Sequence, residues 1–232
     1  ELRTTNYELR TTNYELRTMD SQLLMSIIVI SDPEEVANEA LILNALFAHG
    51  METFHLRKPT YTKVQTEVLI RAIEPQYRNR VVLHHRYPLA IDYGLKGIHF
   101  TGHFIRDCFP KLEDWYQEAK QNQMTVSASK HQLTELENLE VAYDYVFLSP
   151  IFDSISKIGY KSNFADLQSV EKYRTHTKIV ALGGITVDKM NRLKQMGFDG
   201  AAVLGTIWKT PDKAVQTWKA LKATWEKEDQ IF

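Results

Sequence analysis

KIVALGGITVDKMNRLKQMGFDGAAVLGT, from Lys178 to Thr206, reads as strand, Gly-Gly turn, amphipathic helix, second strand and second glycine turn. The apolar run Ile179 to Leu182 is short and stops at Gly183-Gly184, as a buried parallel strand does. Met190, Leu193 and Met196 recur at helical spacing, and Gly197 ends the helix. The next run, Ala201 to Leu204, stops at Gly205-Thr206. Two successive strands ending in glycine set bare backbone N–H groups side by side at one end of a sheet. Those are the ingredients of a phosphate cradle, which a barrel builds after its last two strands.

Working outward, the same alternation fills the chain. Strands are expected at Ser26 to Ser31, Thr53 to Arg57, Arg80 to His85, Gly97 to Gly102, Thr125 to Ser129 and Tyr143 to Pro150. Asp32-Pro33-Glu34-Glu35 predicts a capped helix start after the first strand, with Val36, Ala40, Leu43 and Leu46 inward and Gly50 as the stop. Further helices are expected up to Ile73 (with Val64, Val68 and Leu69), before Gly94, over Lys111 to Gln121, and from Asn163 to about Tyr173. The last follows Thr210-Pro211, with Ala214, Trp218, Leu221 and Trp225 inward. Eight strand–helix units in roughly 210 residues predict a single-domain (β/α)8 barrel, compact against the ~250 typical. An open doubly wound sheet has fewer strands and an early Gly-rich turn, which this chain lacks.

The barrel domain is assigned to 25–232. Residues 1–24 carry the repeat ELRTTNY at Glu1 to Tyr7 and again at Glu8 to Tyr14, and a third copy begins at Glu15. Leu2 and Tyr7 are the wrong distance apart for a coiled-coil seam. This segment is expected to be a disordered extension outside the fold, with the working start at Met19 or Met25.

The 232 residues have a net charge of −1 and are 44% hydrophobic. That suits one ample core and, with no basic face, argues against a nucleic-acid partner. One cysteine, Cys108, excludes an internal disulfide and fits a reducing compartment. No apolar run reaches membrane-span length. A cytoplasmic protein with no membrane partner is expected. Trp115 and Tyr116 are candidate interface residues for a homo-oligomer.

The C-terminal strand ends of a barrel carry its chemistry. They supply His55 and Arg57; His84, His85 and Arg86; His99 and Thr101; Ser129 and His131; Ser154, Ser156 and Lys157; and the glycine turns with Thr206. Histidine is enriched and carboxylates are missing, so proton transfer is better provided for than metal binding. His84 and His85 alternate faces, so one of them at most reaches the barrel mouth, which disfavours a dihistidine metal site. His99 reads as a hydrogen-bonded interior residue. His131 is the residue expected to face substrate. Ser154, Ser156 and Lys157 suit an anion, and Gly183, Gly184 and Gly205 suit a phosphate.

In order and spacing, HLR (His55 to Arg57), SASKH (Ser127 to His131), DYVFLSPIF (Asp144 to Phe152) with its Ser-x-Ser-Lys, ALGGIT and GFDGAAVLGT resemble the thiamine-phosphate synthase and thiazole tautomerase superfamily. The resemblance runs from about Ser26 to Trp208. It implies that the Gly184 and Gly205-Thr206 turns hold a thiazole phosphate and that His131 moves a proton. The chain departs from the synthase pattern in three places. His55 stands where synthases have glutamine and the following lysine is missing; His84-His85-Arg86 replaces Asn-Asp-Arg; Phe104 replaces an aspartate. The two lost aspartates are the magnesium ligands of the synthases.

The resemblance, read with these departures, implies thiazole tautomerase-like proton-shift catalysis. His131 would be the general acid/base. Arg57, Ser129, Ser154, Ser156, Lys157, Gly183, Gly184, Gly205 and Thr206 would bind the thiazole phosphate, with no cofactor and no metal ligand. The alternatives are a divergent thiamine-phosphate synthase, which would use Mg2+, and a non-catalytic barrel that binds a phosphorylated ligand.

Overall fold

The structure, a computed structural model, describes residues 27–153, 162, 164, 166–173 and 176–227. The repetitive extension lies outside the described residues. Eight strands close a parallel barrel in sequence order: β1 (Ile28–Ile30), β2 (Thr53–Leu56), β3 (Val81–Leu83), β4 (Gly97–Phe100), β5 (Thr125–Lys130), β6 (Tyr145–Leu148), β7 (Lys178–Leu182) and β8 (Gly200–Val203). β8 returns to β1 through Ile28 and Val29, opposite Ala202 and Val203. Trp208 fastens that seam, its indole N–H donating to the Ile30 carbonyl at 2.7 Å. This is the (β/α)8 barrel that the spacing predicts.

Side chains alternate along each strand, which sorts the core into two regions. Ile28, Ile30, Tyr145, Phe147, Val180 and Ala202 fill the barrel interior. Residues of the opposite parity, such as Val29, Phe54, Ile98, Val126 and Val146, pack beneath the helices. Aspartates anchor the feet of two strands: Asp144 Oδ2 accepts from Val126 N and Asp199 Oδ2 from Ile179 N, each at 2.7 Å.

The helices are α1 (Glu39–Ala48), α2 (Lys63–Ala72), α3 (Pro88–Asp92), α4 (Gly102–Asp107), α5 (Leu112–Gln121), α6 (Met190–Gln195), α7 (Gly205–Trp208) and α8 (Ala214–Glu226). α2 has a complete capping box, Thr62 with Gln65. Several expectations are corrected. α1 starts later than Pro33, because Asp32 caps only a local turn to Glu34 N and Asn38 sits in the left-handed region at φ 57°. On α2 the buried residues are Thr66, Leu69 and Ile70, while Val64 and Val68 are exposed. Before Tyr173 the described residues hold one 3-10 turn, Glu171–Tyr173, in place of a helix. Trp115 and Tyr116 are half-buried against the core rather than exposed. α4 and α7 were not anticipated, and α4 brings a new residue to the barrel mouth. Among the described residues, no helix is long and apolar enough to cross a membrane.

Candidate active site at the barrel mouth

A cavity of about 450 Å³ opens at the C-terminal end of the strands. Arg57, His84, Thr101, Ser129, His131 and Ser149 line it, with Leu182 and Leu204 opposite. α4 adds Gly102, His103 and Arg106. Sequence reasoning passed over Arg106 because it lies on this unforeseen helix. Around the cavity the described residues supply cations, hydroxyls and imidazoles, and no carboxylate lines it.

His131 follows β5 and is held from two sides. Its backbone N–H donates to Glu135 Oε2 at 2.7 Å. Its Nδ1 lies 3.1 Å from the Ser149 carbonyl and 3.3 Å from the Ser149 hydroxyl. A carbonyl only accepts, so Nδ1 carries the proton and Nε2 is left as the basic nitrogen. A Cβ placed on Gly102 would sit 3.8 Å from that Nε2 and 3.6 Å from Arg106 Nη1. The glycine thus keeps space open between a base and a guanidinium. Arg57 lines the same cavity, and its backbone is fixed by Ser31, whose Oγ accepts from Arg57 N at 2.7 Å.

Beneath the mouth, His55, His84 and His99 form a buried cluster inside the barrel. His84 and His99 stack with ring centroids 4.1 Å apart. His55 Nδ1 meets His84 Nε2 at 2.8 Å, and His55 Nε2 meets the Tyr145 hydroxyl at 2.6 Å. His99 Nδ1 meets Ser127 Oγ at 2.9 Å, and its Nε2 meets Ser129 Oγ at 2.8 Å. Burial drives all three imidazoles below the ordinary histidine range, with neighbouring cations adding to it, and His99 falls to about 3. They are neutral at physiological pH. His84 is therefore the member of the His84-His85 pair that reaches the mouth. His85 is half-buried and is also lowered, by burial first and then by Arg57 and Arg86.

The predicted cradle residues sit on the rim. Gly183 and Gly184 follow the lining residue Leu182, and Gly205 and Thr206 follow Leu204. Gly184 has φ 63°, and a Cβ there would come within 2.2 Å of the Asp153 carbonyl oxygen, so only glycine fits. Its own carbonyl accepts from Lys189 Nζ at 2.8 Å. The Thr206 hydroxyl donates to the Ile185 carbonyl, tying the two turns together. As the first residues of α7, Gly205 and Thr206 have N–H groups with no acceptor within the helix. Ser154, Ser156 and Lys157 lie outside the described residues. Lys58, beside Arg57, turns away from the mouth: its ammonium is buried 2.7 Å from Glu39 Oε2 and 2.5 Å from the Glu34 carbonyl.

Two metal possibilities can be tested on these donors. Magnesium takes oxygen ligands including one or two carboxylates. By the resemblance, His85 and Phe104 would stand where the synthases carry those carboxylates; Phe104 is stacked on Phe100 at 5.1 Å within an aromatic cluster with Tyr87. Residues 154–161 contain no Asp or Glu either. The described mouth does not fit a magnesium–diphosphate site. The three interior histidines offer nitrogens within 4.8 Å of one another. On a tetrahedral metal at ~2.0 Å, ligand nitrogens stand roughly 3.3 Å apart. The closer His55–His84 contact and the bonded state of every ring nitrogen except His84 Nδ1 are those of a hydrogen-bonded network.

A profile described as thiamine monophosphate synthase matches residues 27–207. The thiamine-phosphate synthase of Leuconostoc citreum (strain KM20) is 28% identical over 202 residues, 82% of this chain and 93% of that protein. That of Listeria monocytogenes serotype 4b (strain CLIP80459) is 25% identical over 203 residues, covering 81% and 91%. The crystal structure of thiamine phosphate pyrophosphorylase from Bacteroides thetaiotaomicron superposes with a TM-score of 0.68 at 29% identity, covering 88% of this chain and all of that one. The thiamine phosphate pyrophosphorylase of Pyrococcus furiosus, at 17% identity and a TM-score of 0.69, shares the fold. From the first barrel strand to the helix after the last, the chain belongs to the thiamine monophosphate synthase family.

Proposed function

We propose that the barrel is a thiamine-phosphate synthase that joins a pyrimidine diphosphate to a thiazole phosphate and does so without a magnesium-carboxylate site. The relatives that support this reading carry the synthase name and align over nearly their whole length. The observation that carries it is the cationic mouth, with Arg57 and Arg106 facing one cavity and no carboxylate among its described lining residues. Guanidinium pairs bind phosphate oxygens through charge-assisted bonds and can offset the charge of a departing diphosphate. The thiazole phosphate would rest on the N–H groups of the Gly184 and Gly205-Thr206 turns. Supplying both half-substrates and measuring thiamine phosphate, with and without a chelator, tests the proposal. Product in both conditions is expected; no product at any magnesium concentration would overturn it.

His131 favours a second reading. An imidazole whose Nδ1 is fixed on a carbonyl and whose Nε2 is basic beside an open space is equipped for a proton shift. Thiazole tautomerase-like isomerisation of a thiazole carboxylate phosphate needs that group and no metal. Aromatisation of the isomeric thiazole phosphate, followed by its absorbance, separates the two activities in one preparation.

A further inference from the structure

Glycine is a poor helix residue beside alanine, because it gives up more backbone freedom on folding and packs no side chain. Gly102 nevertheless opens α4, directly after Thr101, whose hydroxyl caps the helix by accepting from Phe104 N at 3.2 Å. The backbone does not require it: Gly102 lies outside the left-handed region that holds Gly184 at φ 63°. Packing does not require it either. A Cβ on Gly102 would meet nothing closer than 3.6 Å, an ordinary van der Waals contact, whereas one on Gly97 would stand 2.1 Å from the Thr125 carbonyl oxygen. The atoms nearest the Gly102 Cβ position are Arg106 Nη1 at 3.6 Å, His131 Nε2 at 3.8 Å and His131 Cδ2 at 3.9 Å. Gly102, Arg106 and His131 all line the mouth cavity. The space over Gly102 is therefore bounded by a guanidinium and an imidazole, and it serves the cavity rather than the fold.

We propose that Gly102 is a specificity-determining residue: the space over it seats an anionic oxygen group of the ligand, held by Arg106, with the neighbouring ligand atom set against His131 Nε2. Arg106 stands four residues further along α4, and a helical side chain leans back toward the N-terminus, which brings the guanidinium over Gly102. Guanidinium donors bind carboxylate and phosphate oxygens through charge-assisted bonds. His131 arrives from the end of β5, with Nδ1 on the Ser149 carbonyl and Nε2 left to accept. Because both nitrogens lie within 4 Å of one point, a single small group placed there touches both. The methyl group of an alanine would occupy that same point. The inference rests on the mouth being the ligand site and refines it for both reactions proposed above. A diphosphate and a ring carboxylate present the same oxyanion chemistry to Arg106, and the test tells them apart.

Gly102→Ala is the test, read by binding rather than turnover. The variant is expected to unfold at the wild-type temperature or above it, since alanine suits a helix better. Its affinity, measured by calorimetry for inorganic pyrophosphate and separately for the thiazole carboxylate phosphate, is expected to fall by roughly tenfold, the size of one charge-assisted contact. A loss confined to pyrophosphate assigns the seat to the diphosphate, and one confined to the thiazole assigns it to the carboxylate; a loss of both means that they share it. In an Arg106→Ala background the added Gly102→Ala change should cost much less, because the seated group has already lost its anchor. Wild-type affinity for both probes in Gly102→Ala would overturn the proposal, as would fully additive losses in the double variant. A lowered unfolding temperature would also overturn it, because the fold itself would then need the glycine. If the wild-type chain binds neither probe, the reading of the mouth as the ligand site falls together with the proposal, whereas an unaffected variant removes the proposal alone.

Discussion

His131 Nδ1 and the Ser149 carbonyl oxygen lie 3.1 Å apart, joining the ends of β5 and β6 across the barrel mouth. The bond positions the ring and, with the carbonyl accepting from Nδ1–H, leaves Nε2 as the acceptor nitrogen on the cavity side. His131→Ala removes the base, and the proton-shift rate is expected to drop by roughly 10²–10⁴. His131→Gln keeps a polar group of similar reach and should not rescue it, because an amide does not titrate. Stopped assays with the isomeric thiazole phosphate give the rates, and near wild-type turnover in His131→Ala would remove the residue from the mechanism.

Arg57 and Arg106 approach the cavity from β2 and α4, so their contributions can be separated. Losing one charge-assisted contact costs about 1.5–3 kcal/mol, which is roughly ten- to hundredfold in affinity for inorganic pyrophosphate. Calorimetry on Arg106→Ala should show that loss, and a chelator should leave wild-type binding unchanged. Strict magnesium dependence of the wild-type affinity would show that the diphosphate charge is met by metal instead.

The glycine turns and the short apolar runs made the barrel legible because a parallel strand buried on both faces reads as a mostly apolar run. His131 and Arg57 were legible for the same reason, since strand ends point at the mouth. The interior network was harder to see. His55 read as a strand-end residue and His99 as a lone interior histidine, and nothing local joins residues that far apart in sequence. The signal was parity: His55, His84, His99, Ser127, Ser129 and Tyr145 all occupy inward positions of adjacent strands. Arg106 was missed because α4 has six residues and no apolar period of its own. The buried Lys58–Glu39 pair was not legible either, because Glu39 belongs to a helix that starts later than the sequence suggests.

That buried pair makes a stability prediction. Lys58 and Glu39 have side chains only 1% and 4% exposed, and Glu39 Oε1 has no partner among the described residues. Burial raises the Glu39 carboxyl against the pull of Lys58, as expected for a charge held at a cost. Glu39→Ala strands the ammonium and should lower unfolding free energy by about 3–5 kcal/mol. Replacing both residues together, Glu39→Leu with Lys58→Met, should recover most of it. Urea denaturation of the three variants checks this, and equal losses in the single and double variants would refute it.

Gly184 carries a backbone requirement independent of any ligand. With φ at 63° and the Asp153 carbonyl in the path of a Cβ, Gly184→Ala must move the turn. A cost of about 1–3 kcal/mol is expected, together with weaker phosphate binding if the turn is the cradle. Thermal unfolding with and without inorganic phosphate distinguishes the effects: a variant that is destabilised but gains the wild-type shift from phosphate would place the anion elsewhere.

The interior histidines also set how stability responds to acid. Their folded values lie below the ordinary 6.5, with His99 at about 3, because burial penalises the imidazolium. Unfolding exposes rings that take up protons below pH ~6.5, while the folded chain takes up none. The unfolded state therefore binds more protons, and stability falls as pH falls from about 6.5 towards the folded values. Each histidine contributes a limiting slope of about 1.4 kcal/mol per pH unit. Between pH 7 and 5.5, above the range where most carboxylates titrate, the three together should remove roughly 3–4 kcal/mol. Urea midpoints across that interval measure the loss, and His99→Phe should reduce it by about a third. A flat pH profile would mean that the interior imidazoles protonate in the folded chain despite the burial that disfavours their charged form.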